Sequence, residues 1–134
     1  MITLTHEATT LALSERLVWS DEHAWQPPQM ATDYGTRGDL MVHVRKRQAG
    51  RPITLEGVQS QAWTSRADVL ALQAWAALPG AQFILHLRGQ DRTVMFDHSR
   101  GESAFDAQPI WRELLDSEFT AELWHLPMFR FIEV

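Results

Sequence analysis

Apolar residues recur at every second position along much of this chain. Ile2 and Leu4, then Leu11 and Leu13, flank the polar stretch His6-Glu7-Ala8 and predict a first hairpin. Leu17, Val18 and Trp19 suit a further short strand, after which Pro27 and Pro28 break regular structure and Gly35 and Gly38 mark a loop. Residues 40–47 alternate again, with Leu40, Val42 and Val44 on one face and Met41, His43, Arg45 and Arg47 on the other. Ile53, Leu55 and Val58 continue the apolar pattern beyond a polar turn at Gln48-Ala49-Gly50-Arg51. Residues 40–47 and 53–58 are therefore expected to pair as a second hairpin, with Pro52, which lacks an N–H, at the strand's start.

The period changes between Thr64 and Gly80. Ser65 and Asp68 have the S-x-x-D spacing of a capping box, alanine and leucine dominate, and Pro79-Gly80 supplies the stop. This predicts one helix over about 66–78. Leu70, Ala74 and Ala77 form one stripe, and Val69, Leu72 and Trp75 widen the apolar surface, so burial on more than one side is expected. A third hairpin follows, with Phe83, Leu85 and Leu87 outbound, a turn at Gly89-Gln90-Asp91, and Val94, Phe96 and His98 on the return. Residues 104–111 read as a short strand interrupted by Pro109. Residues 119–126 and 128–134 read as two closing runs joined around Pro127. The expected fold is mainly β (α+β): an antiparallel β-sandwich or barrel of seven to nine short strands with one central α-helix.

The chain has 134 residues and is expected to form a single domain over 1–134. Its 45% hydrophobic and 22% charged residues suit a packed core. A formal net charge of −5 argues against a protein whose task is to wrap nucleic acid. With no cysteine, disulfides, thiolate metal sites and cysteine nucleophiles are excluded. No signal peptide and no apolar run of about 20 residues is visible, so a protein without membrane insertion, made in the cytoplasm, is expected.

The six histidines fall in no metal-binding spacing. If Arg88 pairs with Arg92, His86 faces Val94 and His98 faces Gln82, which holds the two imidazoles roughly 13 Å apart. Asp97, His98, Ser99 and Ser103 are the ingredients of a hydrolase triad, but adjacency is not triad geometry and no G-x-S-x-G elbow is present. No phosphate-cradling glycine motif occurs. No catalytic residue, metal or cofactor is therefore assigned.

The sharper signal is charge. Arg45, Lys46, Arg47 and Arg51 place four of the 12 Lys and Arg residues within seven positions. They suit a solvated hairpin tip that discourages edge pairing, or an arm that meets an acidic surface on a partner or another copy, with DNA contact a weaker option. Six tryptophans add large packing groups, of which Trp63 and Trp75, near the helix, are candidate packing or interface anchors.

The order "AGRPITLEG", "WTSRADVLALQAW", "GAQFILHLRGQDRTVMFDH" and "EFTAELWHLPMFRFIEV" resembles small tail proteins of long-tailed bacteriophages, in particular the tail-tip group with the tail-tube-like fold that includes distal tail proteins. The resemblance covers about 47–98 and the last strands. It implies a non-enzymatic virion protein that assembles as a ring, commonly six-fold. Such a ring connects the tail tube to hub and receptor-binding proteins, with the tape measure nearby. It makes residues 41–58 the intersubunit arm and Arg45, Lys46, Arg47, Arg51, Trp63 and Trp75 its candidate interface residues. Exchange of Arg45, Arg47 and Arg51 for Glu would then weaken assembly without touching the fold. A monomeric ligand-binding β-barrel with a tryptophan-lined pocket, and a small hydrolase using His98, are the alternatives.

Overall fold

The computed structural model describes residues 1–57, 62–111 and 113–134. Among them are eleven strands and one α-helix. The fold is mainly antiparallel β, as the alternation predicts. The strands are β1 Ile2–His6, β2 Thr9–Leu13, β3 Val18–Trp19, β4 Pro28–Tyr34, β5 Leu40–Lys46, β6 Pro52–Glu56, β7 Thr64–Ser65, β8 Phe83–Leu87, β9 Gln90–Phe96, β10 Phe105–Pro109 and β11 Trp124–Glu133. The helix, α1, is Arg66–Ala76. Nine strands form one sheet in the order β2-β1-β8-β9-β11-β6-β3, with β10 and β7 also paired to β11. Strands β4 and β5 pair only with each other.

β11 organises the sheet. It is one continuous strand through Pro127, where two runs were expected. Its alternate side chains His125, Pro127, Phe129 and Phe131 are buried. Phe129 and Phe131 stack on each other at 5.6 Å. They continue through Phe96 (4.9 Å from Phe131) to Phe83 (5.2 Å from Phe96), while Phe105 lies 5.1 Å from Phe129. Offset and edge contacts of this kind add to the burial energy of the rings. Close approach beside Pro127 requires a glycine. Gly57 donates its N–H to the Pro127 carbonyl, and a Cβ there would sit 2.9 Å from both that oxygen and Pro127 Cδ.

The first and third hairpins form where the alternation places them, but the third turns earlier. Its two-residue loop is Arg88-Gly89, both with positive φ (53° and 75°), as the tight primed turn demands. The register therefore sets Phe83 opposite Val94 and His86 opposite Asp91, whose carboxylate lies 2.6 Å from His86 Nδ1. His98 lies beyond β9 and is exposed.

Helix α1 begins as the capping pattern predicts, with Ser65 Oγ accepting from the Asp68 N–H. It docks through Val69 and Leu72, with Trp75 and Ala76 packed against the core. The stripe of Leu70, Ala74 and Ala77 faces outward instead. Trp75 is held inside the molecule's own aromatic cluster, with His6 and Phe83 each 5.6 Å away.

The second hairpin departs most from expectation. β5 pairs backward with β4, not forward with residues 53–58, of which Val58 lies outside the described residues. β6 instead enters the main sheet between β11 and β3, and its Ile53, Thr54 and Leu55 are all buried. Pro28 opens a strand where a break was expected, and Gly35 and Gly38 belong to the loop that joins β4 to β5.

Truncation of the central ring, Phe129→Ala, is expected to destabilise the fold by about 3–5 kcal/mol, because the site is fully enclosed and cannot collapse. Urea unfolding followed by tryptophan fluorescence measures it, and a loss below about 1 kcal/mol would show that β11 does not hold the core.

Candidate functional site

The β4–β5 ribbon leaves the body as an arm. All seven residues of each strand are exposed. Its register places Met30 opposite Val44, Thr32 opposite Val42 and Tyr34 opposite Leu40. Residues directly opposite in an antiparallel pair share a face. One face of the arm thus carries Met30, Tyr34, Leu40, Val42 and Val44 together with Pro28, Thr32 and Lys46, and the other carries Gln29, Ala31, Asp33, Met41, His43 and Arg45. Tyr34 is 70%, Met30 63% and Val44 60% exposed. At the tip, Gly35 donates to the Asp39 carbonyl and closes the loop.

The arm is rooted at the C-terminal end of β11. Gly50 N–H donates to Glu133 O, Glu133 N–H to Arg51 O, and Arg47 N–H to Pro27 O. The basic cluster lies at this root and not at a hairpin tip. It also divides in two. Arg47 lies over the Trp25 ring at 5.2 Å and donates to the Gln26 carbonyl. Arg51 lies over Trp19 at 4.8 Å and donates to the Glu22 carbonyl at 2.6 Å. Arg88 and Arg92 also approach the Trp19 ring, at 5.9 and 5.3 Å. Cation–π contacts with a buried ring contribute to stability. Arg47 and Arg51 therefore hold the arm's base, and only Arg45 and Lys46 stand on the exposed end of β5. The exchange of Arg45, Arg47 and Arg51 for Glu would damage this root, so it does not isolate an assembly role.

A second surface lies at the other end of β11. Pro109, Ile110, Trp111, Phe119 and Leu126 line an open groove of about 650 Å³. Trp111 is 64% exposed, and Arg66 covers one side of the Phe119 ring at 5.1 Å. Trp63 is 43% exposed and lies 6.3 Å from Trp124, itself 46% exposed. No sequence motif marks this groove, because it is assembled from separate segments that meet only through β10 and β11.

The hydrolase ingredients do not converge. Asp97 is 4% exposed and accepts from the Ser99 hydroxyl and backbone N–H and from Arg100 Nε at 2.7 Å, while His98 is exposed. The carboxylate thus organises the loop after β9. Burial alone would raise its pKa, but the Ser99 bonds and the Arg100 guanidinium outweigh burial and hold it below the ordinary aspartate value. Among the described residues, no three His, Asp or Glu side chains gather as a metal site. No helix among them is long and apolar enough to cross a membrane.

No protein-family model, curated protein or solved structure matches the chain.

The depressed Asp97 pKa gives a signed expectation. Its ionised form contributes stability above the unfolded-state pKa of about 3.9, and that contribution is lost as pH falls through the lower folded value. Asp97→Asn is expected to cost about 1–3 kcal/mol at pH 7, with the gap from wild type narrowing below about pH 4. Chemical unfolding at several pH values checks it, and a pH-independent gap would contradict the charge-based account.

Proposed function

We propose that this chain is a structural, non-enzymatic subunit that assembles with copies of itself through the β4–β5 arm, as a small tail-tip or tail-tube protein of a long-tailed bacteriophage would. The observation that supports this reading is the arm: an amphipathic ribbon whose apolar face, Met30, Tyr34, Leu40, Val42 and Val44, covers nothing in its own chain. An isolated two-stranded hairpin is marginally stable in water, and exposed apolar faces of this kind mark interaction sites. The tail identity rests on the resemblance in the strand entry at residues 49–57, the helix, the third hairpin and the closing strand. In that reading the assembly is a ring, six-fold in its expected form. It connects the tail tube to hub, tape-measure or receptor-binding proteins and sits in the virion tail.

The arm also differs in charge from the rest of the molecule. Residues 28–46 hold Arg37, Arg45 and Lys46 against Asp33 and Asp39, a balance of +1 in a chain of net charge −5. Copies that repel one another overall need such local complementarity to meet.

Light scattering over a concentration series tests the proposal. Wild type is expected to reach a discrete mass near six times the 15.4 kDa chain. Val42→Asp/Val44→Asp, which charges the arm's apolar face without entering the core, is expected to stay at monomer mass. A variant that assembles as wild type does would contradict the proposal.

A further inference from the structure

The geometry points to the acceptor of the arm: the groove of Pro109, Ile110, Trp111, Phe119 and Leu126 on a second copy of this chain. This rests on the arm-driven assembly proposed above and adds where the arm lands. The arm's apolar face needs an apolar counterpart that its own chain leaves open. The groove presents one, with Trp111 64% and neighbouring Leu115 69% exposed.

Charge selects the same partner. Residues 113–122, of which Phe119 lines the groove, contain Glu113, Asp116, Glu118 and Glu122 and no Lys or Arg; all four carboxylates are exposed and lie in the segment on either side of Phe119. Arg112 precedes this stretch, outside the described residues, and Arg66 sits over Phe119 at the rim. The arm brings Arg37 at its tip and Arg45 and Lys46 at its base, against Asp33 and Asp39. A ribbon of net charge +1 with a mainly apolar face thus meets an aromatic groove beside an acidic segment.

Position makes the contact head-to-tail. The arm's root is bonded to Glu133, whereas the groove lies beside Leu126, which pairs with Gln108. The two points are seven residue steps apart, about 23 Å along β11. Donor and acceptor are therefore different patches held at opposite ends of one rigid strand. A contact between unlike patches that is not exchanged reciprocally by two copies is heterologous. It continues from copy to copy and closes as a ring when the rotation permits.

Complementary variants test this. Val42→Asp/Val44→Asp removes the arm's face and keeps the groove. Trp111→Glu charges the groove's lining and keeps the arm, at an exposed position outside the core. Each alone is expected at monomer mass with a cooperative unfolding transition, which shows that the body still folds. Their equimolar mixture is expected to give a 1:1 heterodimer and nothing larger, because only one intact arm and one intact groove remain. If Trp111→Glu alone assembles as wild type does, the acceptor lies elsewhere, and the arm-driven reading still stands. If the arm variant alone assembles as wild type does, that reading itself fails. A mixture that stays monomeric overturns the head-to-tail contact. Wild type that is monomeric at every concentration overturns self-docking and leaves the two surfaces to a foreign partner.

Discussion

Strand β11 is paired along both edges, to β6 and β7 on one and to β9 and β10 on the other, while His125, Pro127, Phe129 and Phe131 fill the space beneath it. Both candidate surfaces are placed by this strand. Its C-terminal end holds the root of the arm through Gly50 and Arg51. Its N-terminal half holds the aromatic groove through Gln108, Pro109 and the close approach of Gly57 to Pro127. The two surfaces proposed to meet between copies are thus fixed relative to each other by a backbone ladder and a row of phenylalanines.

The positive charge between Arg45 and Arg51 has a structural cause at one end and a functional proposal at the other. Arg47 and Arg51 lie over Trp25 and Trp19 and bond to backbone carbonyls of residues 22–26, which ties the segment before the arm to the segment after it. A ribbon that leaves the body by two strands needs both ends anchored, and planar guanidinium groups supply donors and stacking together. Arg45 and Lys46, one step further out, are exposed on the arm itself and carry its charge outward.

The sequence shows the fold most clearly where alternation means burial. The first and third hairpins follow from Ile2, Leu4, Leu11 and Leu13 and from Phe83, Leu85, Val94 and Phe96. The helix start follows from Ser65 and Asp68. The same signal misleads for Leu40, Val42 and Val44, which alternate as a half-buried strand does but face solvent. The loops on either side of residues 40–46 are similar in length, so local pattern does not choose between pairing backward and forward. The choice is made by β6, whose non-local partners β11 and β3 occupy both its edges. Pro28, Ala31, Thr32 and Asp33 dilute the apolar period of β4 and conceal the arm's other strand. The groove was invisible for a different reason: its residues come from segments that only β10 and β11 bring together.

In the proposed assembly the arm is ordered by a contact outside its own chain. Hydrogen exchange of wild type across a dilution series tests this directly. Amides of residues 30–44 are expected to be protected at high concentration and to exchange rapidly on dilution, while those of β11 stay protected throughout. Arm protection that does not change with concentration would contradict it.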